Sequence, residues 1–330
     1  MAEPKKLRLA IAMGDPAGIG PEIALKAALD PRVQALCTPV LFGDRHALDV
    51  HAKACGIAAN VRFLADAGAA EAPAAGDVFL VDVPHFQNVP LQLGKIAGAH
   101  GRAAVESAAA AIDAAVKGHV AGAIACPQTE FSIQEAGIEF DGYPSFVARC
   151  TNMSPDDTFL MICFDDKRIV HATLHVSLKR AIALITRERV TNVIAATHKT
   201  LMAMGISQPR VAVSGLNPHA GEHGMFGDEE IDIIAPVILD AKNSGIDADG
   251  PFGADTMFHK PGYDAFVVMV HDQGHVAAKL LATNRSAGMT IGSPILFSSV
   301  AHGSALDIAG KNQAKPDAVI EAVQIGRAHV

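Results

Sequence analysis

The stretch Leu7–Leu29, LRLAIAMGDPAGIGPEIALKAAL, decides the fold class. Leu7–Met13 is apolar apart from Arg8 and stops at Gly14-Asp15-Pro16. A run of that length reads as a strand buried on both faces rather than a helix. After the glycine-rich turn, Pro21 suits the first turn of a helix that extends to Leu29. The same alternation continues downstream. Pro39–Phe42, Val78–Val83, Ala121–Ala125, Phe159–Phe164, Ile169–Leu174, Val211–Ser214 and Phe266–Val270 read as further strands. Glu22–Leu29, His46–Cys55, Ala103–Lys117, Arg189–Met204, Ile231–Lys242 and Asp317–Ile325 read as helices, with Gly56, Gly118, Gly205 and Gly245 just past helix ends. Such alternation means an α/β protein with a mostly parallel sheet.

Composition narrows the function. The chain has 330 residues, a length typical of about two domains. It is 50% hydrophobic and 19% charged, which excludes a disordered chain. A net charge of −8 with no basic run beyond Lys5-Lys6 argues against nucleic acid. With no Trp and two Tyr, base-stacking platforms are not expected either. The five cysteines are scattered without a CxxC, as free thiols in a reducing cytoplasm would be. The start, Lys5–Met13, imitates a signal peptide, but its apolar run is too short; no membrane-spanning segment is expected. The feature that stands out is fifteen histidines in an acidic, alanine-rich chain.

Three segments carry candidate chemistry. Gly14–Glu22, between strand and helix, is either an anion-receiving turn or only a tight connection; it matches neither GxGxxG nor a Walker loop. His175, His219 and His271 each follow an expected strand, where side chains converge on the ligand crevice of an open parallel sheet. Three imidazoles can hold a divalent metal and leave a position for substrate, with Asp272 orienting His271. Their spacing forms no local metal motif, and His171, on the same strand face as His175 at i and i+4, could replace it. The third segment, His302–Lys311, has small residues that let an adenine approach the backbone. Asp307 could bond a ribose diol there and would repel a 2′-phosphate, favouring NAD.

Several blocks together resemble the 4-hydroxythreonine-4-phosphate dehydrogenase family: Gly14–Glu22 (GDPAGIGPE), Gly215–Glu222 (GLNPHAGE), Gly253–Thr256 (GADT), His271–His275 (HDQGH) and His302–Lys311 (HGSALDIAGK). The last is also similar to the adenosine-binding loop of isopropylmalate dehydrogenases. The resemblance runs along almost the whole chain. It implies a two-domain isocitrate/isopropylmalate dehydrogenase-like α/β fold with mostly parallel sheets and a cleft between domains. The expected division is residues 1–130 with 280–330 as the NAD-binding domain, and 131–279 as the metal and dimerisation domain. It further implies a homodimer and a divalent metal, zinc being the expected one, on His175, His219 and His271 at the interface. NAD would lie on His302, Gly303, Ser304, Ala305, Asp307 and Ile308.

The substrate region departs from that family. Where the biosynthetic enzymes have Gly-His-Thr, this chain reads Gly142-Tyr143-Pro144, and their downstream Asn and Arg contacts fall on Gly288 and Phe297. An Arg gripping phosphate makes charge-assisted bonds worth roughly 1.5–3 kcal/mol each, which Phe297 cannot make. The variant blocks are instead similar to the branch acting on terephthalate cis-dihydrodiol: Ala125-Cys126-Pro127, Gly142–Ser145, Arg168–His171, Thr173–His175, His271–Leu281 and Ser298–Ala305. A less polar lining at Tyr143, Pro144 and Phe297 suits a carbocycle. The expected activity is NAD-linked, metal-dependent oxidative decarboxylation of that small dicarboxylate to protocatechuate. Lys279 is expected to contact a hydroxyl or carboxylate, Asp255 to act as acid or base or to neighbour the metal, and Tyr143, Ser145 and Arg285 to bind the second carboxylate. The alternatives are the vitamin B6 branch or a related phosphosugar-acid dehydrogenase, and a non-catalytic NAD- or metal-binding homologue.

Overall fold

A computed structural model describes residues 6–282 and 286–327. Its strands are β1 (Arg8–Ala12), β2 (Thr38–Gly43), β3 (Asn60–Leu64), β4 (Asp77–Asp82), β5 (Gly122–Ala125), β6 (Phe159–Phe164), β7 (Lys167–His171), β8 (Arg210–Ser214), β9 (Asp247–Phe252), β10 (Ala265–Val268), β11 (Ala287–Ile291) and β12 (Leu296–Val300). The α/β class expected from the alternation is the one that forms. Contacts divide the chain into two units: residues up to Phe140 with Pro294–Arg327, and Asp141–Ser293. Both edges lie beyond those expected at 130 and 280. The strand Ala287–Ile291 explains the second, because it pairs antiparallel with β6 inside the second unit.

In the first unit the strand order is β3-β4-β2-β1-β5-β12, and every pairing is parallel. The central strands β1, β2 and β5 are buried along nearly their whole length, as continuous apolar runs covered by helices on both faces must be. In the second unit the order is β11-β6-β7-β10-β8-β9, with β11-β6-β7 antiparallel and β7-β10-β8-β9 parallel. Consequently the carboxyl ends of β7, β8 and β10 point the same way, each followed by one of the histidine-bearing segments.

Phe297 departs from its expected place. It is 1% exposed inside β12, opposite Ala123 of β5, and so belongs to the first unit's core instead of lining a substrate site. Among the described residues, no helix is long and apolar enough to cross a membrane.

Candidate functional site

His171 is the last residue of β7 and is 1% exposed. Beyond it the chain leaves the strand, although Ala172 N–H and Thr173 N–H still donate to Val268 and Met269 carbonyls, at 2.8 and 3.2 Å. Thr173 Oγ1 donates to Met269 O, and Arg189 Nε donates to Ala172 O, each at 2.8 Å. His175 therefore stands in a pinned loop and does not share a strand face with His171. The i, i+4 relation expected between them fails for that reason.

His271 likewise does not end a strand. β10 stops at Val268, and His271 is the first residue of the helix His271–Leu281. Gln273 fixes that helix start: its Oε1 accepts from Met269 N–H (2.9 Å) and Val270 N–H (3.1 Å), and its Nε2 donates to Gly215 O (3.0 Å). The helix and the loop after β8 are thus tied through one side chain. Sequence reasoning missed Gln273, and its position three residues after the helix N-cap was the available signal.

The rings of His175 and His271 lie 5.5 Å apart, centre to centre. Two imidazoles on one zinc ion, with Zn–N near 2.0–2.1 Å, place their ring centres about 5 Å apart. Orientation agrees as well. His175 Nδ1 donates to the Asp141 carbonyl at 3.2 Å, and His271 Nδ1 to Asp272 Oδ1 at 2.7 Å. With an oxygen facing each Nδ1, the neutral tautomer that carries its hydrogen on Nδ1 leaves Nε2 its lone pair, as a metal-ligating histidine requires. Gly142 lets the carbonyl of Asp141 reach His175. Its φ is +119°, and a Cβ there would press on the His175 ring at 3.3 Å.

His219 is placed differently. It opens a left-handed turn in which His219, Ala220, Glu222 and His223 all have φ between 41° and 56°. Non-glycine residues in that region cost of order 1 kcal/mol or more each, and such strain gathers at functional sites. Glu230, 3% exposed, holds the turn's entrance by accepting from Leu216 N–H (2.6 Å), Asn217 N–H (2.8 Å) and Asn217 Nδ2 (2.9 Å). His219 itself is 65% exposed, with Nδ1 3.5 Å from Glu222 Oε2 and its ring edge-on to Phe226. Asp255, also exposed, and the His219 backbone both approach Gly253. Among the described residues of one chain, no three His, Cys, Asp or Glu side chains close into a metal-holding group. His175 and His271 meet, and His219 faces outward.

Two further histidines complete the cluster. His275 stacks on His271 with centroids 3.8 Å apart and planes at 10°, and its Nδ1 lies 3.0 Å from His171 Nε2. Burial holds His171 down to about 3 and His275 down to about 4, with neighbouring imidazoles adding to the effect, so both rings are neutral. Lys279 is exposed one turn beyond His275 on the same helix. Tyr143 and Ser145 are partly buried in the first turn of the helix Tyr143–Cys150, beside Gly142. Arg285 lies outside the described residues.

In the first unit, the two readings of Gly14–Glu22 resolve towards the tight connection. Its N–H groups are spent internally: Asp15 to Pro127 O, Gly18 to Asp15 O, Ala17 to Asp15 Oδ1 and Ile19 to Ser304 O. The last bond is the informative one, because this turn buttresses the segment His302–Lys311. Ser304 is buried, accepting through its carbonyl from Ile19 and through Oγ from Thr129 at 3.0 Å. Ala305 turns the chain at φ 41°, with Ile308 N–H donating back to its carbonyl. His302, Gly303 and Asp307 are left exposed. An anchored loop with an exposed carboxylate fits the ribose of a dinucleotide.

Asp15 beneath this loop is fully buried, and burial raises its carboxyl pKa against the opposing bonds from Thr129 and Ala17. A raised folded pKa means that the native state holds its proton where the unfolded chain has released it. The carboxyl therefore destabilises the fold as pH climbs through the folded pKa. Asp15→Asn keeps the Oδ1 acceptor and cannot ionise. Its melting temperature is expected to match wild type near pH 4 and to exceed it at neutral pH; a constant difference across thermal scans from pH 4 upward would refute this.

A family model described as pyridoxal phosphate biosynthetic protein PdxA matches residues 35–326. The 1,2-dihydroxy-3,5-cyclohexadiene-1,4-dicarboxylate dehydrogenase of Comamonas sp is 39% identical over 320 residues, 96% of each chain. A crystal structure of a terephthalate 1,2-cis-dihydrodiol dehydrogenase from Burkholderia xenovorans LB400 is 40% identical, with 98% of each chain covered and a TM-score of 0.69. The structure of a putative 4-hydroxythreonine-4-phosphate dehydrogenase from Salmonella typhimurium is 33% identical, covering 99% and 100%, with a TM-score of 0.87. Backbone likeness and side-chain likeness thus rank the last two in opposite order.

Proposed function

The chain belongs to the PdxA family, and on that premise we propose that it is an NAD-linked, metal-dependent dehydrogenase that oxidises and decarboxylates a cyclic cis-dihydrodiol dicarboxylate. Its family shares a backbone, so the substrate follows from side chains. The observation that carries this reading is the wall beside His175. Gly142 faces the His175 ring and is followed by Tyr143, Pro144 and Ser145 in the helix Tyr143–Cys150, and Arg149 of that helix is already engaged by Asp141 at 3.1 Å. Among the described residues, a phosphate dianion there would have to compete with Asp141 for that guanidinium, whereas the ring and hydroxyls of a carbocycle make no such demand.

The donor set fits a divalent metal of intermediate softness, zinc foremost, on His175 and His271 of one subunit with the partner subunit's His219. Apolar side chains left exposed in the second unit support a partner copy. Leu178 (66%) and Ile182 follow His175, Met225 (73%) and Phe226 follow His219, and Val276 and Leu280 (77%) flank His275. Among the described residues no cysteine is in a disulfide, which suits the cytoplasm as the compartment.

When bound, NAD supplies the hydride acceptor, and the metal supplies the positive charge that polarises the carbinol oxygen. The chain's own residues do the rest. His302, Gly303, Ser304, Ala305, Asp307 and Ile308 seat the dinucleotide, with the Asp307 carboxylate on the ribose diol. Lys279 brings a cation to the carboxylate that leaves, Asp255 moves the proton, and Tyr143, Ser145 and Arg285 hold the second carboxylate. The carbinol carbon loses hydride and its hydroxyl loses a proton. The resulting ketone stands β to a carboxylate, whose C–C bond breaks to release CO2 while the electron pair aromatises the ring.

Metal-loaded protein given NAD and the cis-diol dicarboxylate is expected to yield NADH and CO2 in equal amounts, with no NADH from 4-phosphohydroxythreonine. Turnover of the phosphate ester alone would install the vitamin B6 reading. Binding of NAD with turnover of neither would mark a non-catalytic homologue.

A further inference from the structure

The His171–His275 pair has a direction, and the direction fixes what His275 can do. His171 Nδ1 faces the carbonyl of Leu160 at 3.4 Å. A carbonyl only accepts, so the His171 proton sits on Nδ1 and its Nε2 is a lone pair. His275 Nδ1, 3.0 Å from that lone pair, must then be the donor. What remains is His275 Nε2, an acceptor on a half-exposed ring stacked 3.8 Å from His271.

We infer that His275 is a specificity-determining residue whose Nε2 accepts a hydrogen bond from the hydroxyl of the substrate diol that is not oxidised. The inference rests on the cis-diol reading given above and deepens it. Its ring lies alongside His271, so a vicinal diol whose reacting oxygen approaches His271 brings its neighbouring oxygen, one carbon–carbon bond away, towards His275. An acceptor-only group takes a hydroxyl proton and opposes a phosphate or carboxylate oxygen, which has no proton to give. His171 is the positioning residue: buried, with its Nδ1 turned to the carbonyl of Leu160, it leaves His275 no alternative tautomer.

The test uses zinc-loaded protein with NADH bound and two saturated probes, cis-1,2-dihydroxycyclohexane-1,4-dicarboxylate and 2-hydroxycyclohexane-1,4-dicarboxylate, which lacks the second hydroxyl. Calorimetry on wild type is expected to favour the diol by about tenfold or more. His275→Leu and, as a second variant, His275→Phe, neither of which can accept a hydrogen bond, should bring the ratio within about twofold while zinc content stays at wild-type level. A ratio unchanged in folded, zinc-replete variants, or no preference in wild type, overturns the inference. Nitrogen NMR of histidine-labelled, zinc-loaded protein gives an independent reading: the His275 proton is expected on Nδ1, and a proton on Nε2 overturns it. The cis-diol reading fails separately, if wild type makes no NADH from the unsaturated diol whatever its binding preference.

Discussion

His271→Ala and His219→Ala are each expected to lose about a thousandfold or more of NAD-linked turnover alone, and to regain activity when the two are co-expressed. The first half follows from losing a metal contact whose Lewis acidity is worth several kcal/mol, at a factor of ten per 1.4 kcal/mol. The second half follows from where the histidines stand. His175 and His271 face one another within a chain, 5.5 Å apart, whereas His219 is 65% exposed beside the exposed Phe226 and Met225. If the partner subunit's His219 completes each site, a mixed dimer carries one site with all three histidines and one with only His175. Random pairing of equal amounts makes half the dimers mixed, so about a quarter of all sites are intact and turnover should return to about a quarter of wild type. Zinc content should rise in proportion. If all three ligands came from one chain, every site in the mixed dimer would lack one and no activity would return. Recovery absent with mixed dimers verified by mass would therefore remove the shared site.

The parts of this site visible in the sequence were those whose chemistry is local. Three histidines after apolar runs, and Asp307 in a loop of small residues, follow from residue type and position relative to a strand. The runs also identify the fold class, because a strand buried on both faces cannot hide its composition. β3 escaped notice for the opposite reason: at the sheet edge, Asn60–Leu64 is half-exposed and its Arg62 breaks the apolar run. β9 escaped because it includes Gly250 and Pro251, which read as a turn. His271 was assigned to a strand end because Met269 and Val270 prolong the apolar run past Val268, where pairing stops. Phe297 was misjudged because distance along a chain does not say which face of a strand a side chain occupies. The direction of the His171–His275 bond was beyond any sequence reading, since it depends on the carbonyl of Leu160, eleven residues from His171 across a strand pair.

Gly274→Ala is expected to lower the melting temperature by roughly 3–6 °C and to abolish the preference for a diol over its deoxy analogue. In an isolated helix the change would help, since Ala is favoured over Gly by about 1 kcal/mol. Here a Cβ would overlap the His171 ring and stand 2.8 Å from Ile169 Cγ2, both on β7 beneath the helix. The helix cannot lift away freely, because Gln273, the adjacent residue, binds Met269, Val270 and Gly215. Overpacking of this kind costs about 1–3 kcal/mol and outweighs the gain in propensity. The ring of His171 must yield, and its 3.0 Å bond to His275 Nδ1 goes with it. His275 is then released from a single tautomer and offers the substrate a donor as readily as an acceptor. The cause is checked with His171→Ala, which opens the space that the new methyl needs. In Gly274→Ala/His171→Ala the two destabilisations should fall short of additivity by about 1–3 kcal/mol, because the clash has been removed. Denaturant titration of the metal-free proteins measures that shortfall directly. Strict additivity, or a Gly274→Ala protein as stable and as diol-selective as wild type, would mean that the glycine is not what lets the helix lie against His171.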